Sequence, residues 1–327
     1  MMIVPIFLMN DMYIHKPVLL TKVLSLLRPE KKESVFIDAT IGEGGYSEFL
    51  LKDNPDLTVI GIDADSSILE VAKGRLSSFK NRILFYNSWF DHFFENYFDF
   101  FSYPPDSILF DLGISRFHYK TGNRGFSFSR NEPLDMRLRG DTDITASTII
   151  NTYTESELCH IFWTFGEVRY AKRISKRIVL ERMKKPIKTS LMLAKIIEQA
   201  VPHKERFKRI HPSTRCFQAL RIAVNRELER LEAAIKAAFS VLKEGGRLGV
   251  ISYHSLEDRI VKHFFKEKSL DCTCPPELPI CKCKGYRECE ILTRKPIIPD
   301  DIEIRENPSA RSAKFRVVTK CRIERGK

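Results

Sequence analysis

The first third of the chain alternates short apolar strands with helices, and that alternation limits the fold more than any other feature. Residues 34–38 (SVFID), 57–62 (LTVIGI), 82–86 and 106–112 (DSILFDL) read as strands. Helical periodicity fills the intervals, in 15–27, from about Tyr46, and from about Ser66 to Leu76. Strands that alternate with helices build βαβ units and a parallel, doubly wound sheet.

The pattern then breaks. From about Arg130 to Phe217 the chain is basic and helical, with amphipathic stretches at 151–165, 167–184 and 189–200. One long helix is expected over 214–242, a fifth strand over 247–252 (RLGVIS), a helix over 256–268 and a last alternating strand over 313–321. The Cys- and Pro-rich stretch up to Glu290 reads as a loop. The expected architecture is an α/β sheet formed by residues 1–129 and 218–327, interrupted by an all-helical insertion at 130–217.

In open α/β sheets, ligands bind beyond the carboxyl ends of the strands. Four consecutive strand ends here carry suitable residues. The first reads Asp38-Ala-Thr-Ile-Gly42-Glu-Gly44-Gly45, a turn that admits a ligand to the backbone and to a helix N-terminus. The second ends at Asp63, 21 residues beyond Gly42, a distance suited to hydrogen bonds with ribose hydroxyls. The third leads into Asn87-Ser-Trp-Phe90, where an aromatic ring can pack on adenine, and the fourth ends in Asp111-Leu-Gly113. Together they describe a nucleoside-cofactor site. An NAD site wants G-x-G-x-x-G, whereas this turn is G-x-G-G behind an acid, Asp38, which suits the cationic methionine end of S-adenosylmethionine better than a pyrophosphate.

Net charge is +12, but its distribution says more. Residues 169–230 hold 18 Lys and Arg against 5 Glu, so the rest of the chain is nearly neutral. Such a segment is either a solvated helix face or a footprint for a polyanion, with Arg169, Arg173, Lys184, Lys185, Lys208, Arg209 and Arg215 as candidate phosphate contacts. Arg124 and Arg311 add basic residues near the expected site. No apolar run approaches the ~20 residues of a membrane helix, and the apolar start MMIVPIFLMN lacks the basic flank and cleavage site of a signal peptide. A cytoplasmic protein with no membrane partner is therefore expected, and its eight cysteines read as thiols or metal ligands rather than disulfides. Cys272-x-Cys274 and Cys281-x-Cys283 could supply four thiolates to zinc, although the spacing is tighter than usual; a reduced loop is the alternative. Tyr103-Pro104-Pro105-Asp106 reverses the Asp/Asn-Pro-Pro-aromatic tetrad that some amino-methyltransferases use, and it reads as a loop.

Several long stretches carry a resemblance: HKPVLL (15–20), DATIGEGG (38–45), DLGIS (111–115), RGFSF (124–128), PLDMR (133–137), HPSTRCFQALRIAVNREL (211–228), GGRLGVISYHSLEDRIVK (245–262) and ENPSARSAKFRV (306–317). With these, the chain resembles the bacterial ribosomal small-subunit RNA methyltransferase H family. The resemblance implies a Rossmann-like class I S-adenosylmethionine methyltransferase sheet with a helical insertion, acting on N4 of one cytidine in the decoding centre of 16S ribosomal RNA. It implies cofactor contacts at Gly44, Gly45, Tyr46, Asp63, Phe90, Asp111 and His118, to which Gly42 is added from the turn. Tyr46 and His118 depart from the family's His and Gln. Candidate partners are 16S ribosomal RNA or the small ribosomal subunit, and a second copy of the chain in a homodimer.

Methyl transfer to an aromatic amine needs an acceptor beside the amino group, to localise its lone pair and take its proton. Asp111 is the first candidate, with a pure cofactor contact as its alternative; Asp135 and His254 follow, His254 having a structural turn before a helix as its alternative. Rival readings are a methyltransferase of DNA or protein, and a non-catalytic RNA-binding protein on a vestigial cofactor fold.

Overall fold

The computed structural model describes residues 17–120, 123–206, 211–272, 274 and 286–324. Its sheet has seven strands: β1 (Val35–Asp38), β2 (Thr58–Asp63), β3 (Ile83–Asn87), β4 (Ser107–Asp111), β5 (Arg247–Ser252), β6 (Tyr286–Ile291) and β7 (Lys314–Glu324). They run in the order β3-β2-β1-β4-β5-β7-β6. The first five pair in parallel, and β7 runs antiparallel to both β5 and β6. The chain leaves β1 toward β2 on one side and returns as β4 on the other, so a crevice opens where the connections diverge, between the carboxyl ends of β1 and β4.

Both faces of the sheet are covered, which explains why its strands read as apolar runs without alternation. Ile37, Ile60, Phe110 and Val250 join one core with Phe93, Ile235 and Phe264. Their strand neighbours Phe36, Val59, Leu109 and Ile251 join a second with Leu27, Leu50 and Leu76. A third apolar core, from Phe126 to Val224, belongs to the inserted helices.

Three expectations need correction. Residues 286–291, placed in a loop, form β6; its polar side chains give it no apolar signature, and it is held by its pairing with β7. The helix expected over 214–242 is two, Pro212–Asn225 and Glu227–Val241, because Arg226 adopts a left-handed backbone with φ 52°. The helix expected over 167–184 is shorter, Ala171–Arg182, since Glu167 is the left-handed C-cap of Glu155–Gly166. The Tyr103–Asp106 segment is a loop, and Asp106 accepts from the Val35 N–H at 3.0 Å and Lys243 Nζ at 2.8 Å. Among the described residues no helix is long and apolar enough to cross a membrane.

Candidate active site

A cavity of about 810 Å³ opens at the β1/β4 crevice and extends under the inserted helices, within the range typical of small-molecule sites. Gly42, Gly45, Tyr46, Asp63, Phe90, Asp111, His118 and His254 all line it. Gly44 is instead the N-cap of the helix Gly45–Asp53, in a left-handed conformation (φ 80°) that only glycine adopts readily. Its absent Cβ would lie 2.8 Å from Leu76 Cδ1, so the residue seats that helix against the next.

Asp63 builds the loop as well as facing the cavity. Its Oδ2 accepts from the Gly42 N–H at 3.0 Å and its Oδ1 from the Asp65 N–H at 2.9 Å. Burial nevertheless raises the Asp63 carboxyl above its ordinary value. Asp65 caps the helix Ser66–Arg75 through the Ser67 N–H at 2.8 Å. Its other oxygen takes His118 Nε2 at 3.0 Å and Arg124 Nη1 at 2.8 Å. Burial works against ionisation of Asp65, but His118, the Ser67 N–H and Arg124 outweigh it and hold the carboxyl well below the usual range. Arg124, placed among the basic residues near the site, therefore ties the 124–138 segment to the strand end; it also donates to the Arg137 and Leu138 carbonyls.

Asp111 is the acid in the middle of the cavity. Its Oδ1 accepts from the Tyr253 hydroxyl at 2.8 Å, and its Oδ2 lies 3.2 Å from the Tyr46 hydroxyl, which also reaches the Val18 carbonyl at 2.6 Å. One phenol proton cannot serve both, so Asp111 keeps a single committed donor. No Lys or Arg among the described residues pairs with it. Burial raises its carboxyl to about 7, against the lowering effect of the two tyrosines. The reach of Tyr46 to Asp111 was not legible in the sequence, because the two lie 65 positions apart.

Asp38 departs from expectation. It is fully buried and does not line the cavity. Ser47 Oγ donates to its Oδ2 at 2.7 Å, its Oδ1 has no hydrogen-bond partner among the described residues, and burial raises it to about 7. Asp135 does not line the cavity either. Arg137 holds both its oxygens at 2.8 Å and outweighs the effect of burial, leaving the carboxyl below its ordinary value. His254 is the N-cap of the helix Ser255–Lys268, its Nδ1 accepting from the Glu257 N–H at 3.4 Å, while its ring still lines the cavity.

The wall near β3 carries two aromatic rings. Trp89 sits beside Phe90; its Nε1 donates to Asp141 at 2.7 Å and the Arg230 guanidinium lies 4.2 Å over its ring. Arg230 is itself paired with Asp91 at 2.8 Å. It was counted in the basic surplus yet faces inward. Arg169, Arg173, Lys184, Lys185 and Arg215 are exposed, and so is Arg311; Lys208 and Arg209 lie outside the described residues. Of the cysteine set, Cys272 and Cys274 are half-buried, and Cys281 and Cys283 lie outside the described residues. Among the described residues one other trio, Glu227, His254 and Glu257, could converge on a metal, but Arg221 already occupies both Glu227 oxygens.

These features fit S-adenosylmethionine. One cavity is lined by an acid at the end of β2 (Asp63), an aromatic ring (Phe90) and a carboxylate with no Lys or Arg partner among the described residues (Asp111). The strand order, the glycine turn and this acid define a Rossmann-like class I methyltransferase.

The chain belongs to the MraW methylase family, which matches residues 12–321. It is 51% identical to a ribosomal RNA small subunit methyltransferase H of Treponema denticola, over 94% of this chain and 97% of that protein. Proteins of the same description in Sulfurihydrogenibium azorense and Clostridioides difficile are 45% and 43% identical, over 93% and 94% of this chain and 98% of each of theirs. Among solved structures, a methyltransferase of Streptococcus mutans bound to SAH covers 92% of this chain and 94% of its own, at 12% identity and a TM-score of 0.41.

Proposed function

We propose that the protein transfers a methyl group from S-adenosylmethionine to N4 of a single cytidine in the decoding centre of 16S ribosomal RNA, within the small subunit or its RNA. The curated relatives' description supports the RNA substrate. The observation that carries the chemistry is the position of Asp111, in one cavity that is lined by the glycine turn and also by Phe126 and Phe128, just before the insertion, and Phe217 at its end.

The sulfonium supplies an activated methyl group, so the protein's task is alignment and the exclusion of water. The glycine turn, Asp63 and Phe90 fix the nucleoside end. The aromatic side receives a base taken out of its stack, as base-modifying enzymes require. Asp111 accepts a hydrogen bond from the amino group, which localises the nitrogen lone pair, and then receives its proton. Tyr253 holds the carboxylate in place. His254 shapes the wall as a helix cap, and Asp135 orders the PLDMR loop through Arg137. Residues 130–217 form the RNA-recognition region, and Arg169, Arg173, Lys184, Lys185 and Arg215 contact phosphates.

The test is mass mapping of small-subunit RNA from cells lacking the gene. One decoding-centre cytidine should lose one methyl group on its amine. An unchanged methylation map contradicts the reading.

A further inference from the structure

The helix Pro212–Asn225 places Thr214, Gln218 and Arg221 along one side of the cavity, at the spacing of a single helix face. Arg221 is the best-anchored of the three. Its Nε and Nη2 donate to the two oxygens of Glu227, each at 2.8 Å. Glu227 opens the next helix, and the left-handed turn at Arg226 brings it back beside Arg221. The pair is largely buried, with side chains 12% and 16% exposed. The remaining guanidinium nitrogen, Nη1, makes no hydrogen bond to the described residues, although the side chain lines the cavity. A planar fork held this way cannot swing, so its free edge is a fixed donor.

The chemistry of the ligand follows from charge. Glu227 already neutralises Arg221, and buried Glu257 adds a further negative charge nearby. A phosphate or carboxylate would meet net repulsion, whereas a neutral carbonyl would gain a directed hydrogen bond. Tyr253 connects this corner to the acid: its hydroxyl holds Asp111 and its backbone N–H donates to Glu257 at 2.8 Å. Arg221, Tyr253 and Asp111 line the same cavity. Phe128, stacked on His211 with ring centroids 4.7 Å apart and edge-on to Phe217, offers that ring an apolar face.

On the cytidine reading above, we propose that Arg221 is the residue that recognises cytosine: its Nη1 donates to the O2 carbonyl of the flipped base while Asp111 accepts from the amine, with Gln218 lining the edge between them. O2 is the informative atom. Adenine, like cytosine, presents an amine beside a ring nitrogen, but only cytosine adds a carbonyl on the far side of that nitrogen. A site built to donate there rejects a base that leaves the donor unpaired.

A chemical double-mutant cycle tests this. Small subunits are reconstituted with RNA that carries, at the target, either cytidine or a 2-aminopyridine C-nucleoside, which keeps the amine and ring nitrogen but lacks O2. Single-turnover methylation is measured for wild type and for Arg221→Lys, which keeps the charge opposite Glu227 but loses the fork. Arg221→Gln/Glu227→Gln, electrically neutral, repeats the measurement should the lysine variant fold poorly. Loss of O2 should slow the wild-type enzyme about tenfold to a hundredfold, the range of a hydrogen bond to a charged donor. Arg221→Lys should slow methylation of cytidine comparably yet show no further loss with the analogue, because both changes remove the same contact. S-adenosylmethionine affinity should stay within about twofold.

Equal sensitivity of wild type and variant to loss of O2 overturns the assignment while leaving the cytidine reading intact. A tenfold loss of S-adenosylmethionine affinity also overturns it, assigning Arg221 to the cofactor carboxylate. A wild-type enzyme that methylates no cytidine but another base defeats the cytidine reading itself, and this inference with it.

Discussion

Tyr253 Oη donates to Asp111 Oδ1 across 2.8 Å, from the residue after β5 to the last residue of β4. This is the shorter of two tyrosine hydroxyl contacts to a half-buried acid, and it favours the ionised form. Burial raises the Asp111 carboxyl to about 7, and Tyr253 opposes that shift. A cationic cofactor binds best to the ionised acid. S-adenosylmethionine affinity should therefore rise as pH increases through about 7 and level off above it. Tyr253→Phe removes the donor, so the midpoint should move upward. Calorimetry from pH 6 to 9 measures both, and Asp111→Asn should abolish the dependence.

Asp63 holds the glycine turn by two backbone N–H groups and faces the cavity. Asp63→Ala should weaken cofactor binding by roughly 1.5–3 kcal/mol, the scale of hydrogen bonds to a charged group. Wild-type affinity in that variant would exclude the ribose assignment.

The acid at the end of β1 has a different consequence. Asp38 is fully buried and raised to about 7, largely by burial, whereas its unfolded value is near 3.8. The folded state then holds a proton that the unfolded state has released. Its contribution to stability is complete below about pH 4 and is lost as pH rises through 7. Asp38→Asn should flatten the fall in the melting temperature of cofactor-free protein over that interval. Thermal melts at several pH values check the slope.

The strand ends were legible because each chemical signal is local: a glycine turn, an acid at a strand terminus, an aromatic two or three residues later. The contacts that organise the site were not, because they join distant residues. Tyr46 meets Asp111 across 65 positions, and Arg230 meets Asp91 across 139. Arg124 reads as a basic residue near the site, but its partner Asp65 lies 59 positions away. Composition likewise overstated the RNA footprint, since it cannot separate Arg221 and Arg230, which face inward, from Arg169, Arg173, Lys184 and Lys185, which are exposed. β6 lacked a signal because its pairing with β7, rather than its side chains, defines it.

That exposed set carries a prediction of its own. Neutralising Arg169, Arg173, Lys184 and Lys185 together should weaken RNA binding and flatten its salt dependence. Each lost phosphate contact should remove about 0.7–0.9 from the slope of log affinity against log salt. Cofactor affinity should not change. Binding isotherms at several salt concentrations decide it, and parallel lines for variant and wild type would assign these residues to a solvated face.

If Asp111 assists methyl transfer to a cytidine amine, single-turnover methylation of small subunits from a strain lacking the gene should depend on it. With labelled S-adenosylmethionine at saturation, the wild-type protein should place one methyl group on N4 of one decoding-centre cytidine. Asp111→Ala should be slower by roughly a hundredfold or more, the contribution of a positioned base, while subunit affinity is retained. A methyl group found on another base, or a variant rate within about threefold of wild type against that hundredfold scale, would contradict this role for Asp111.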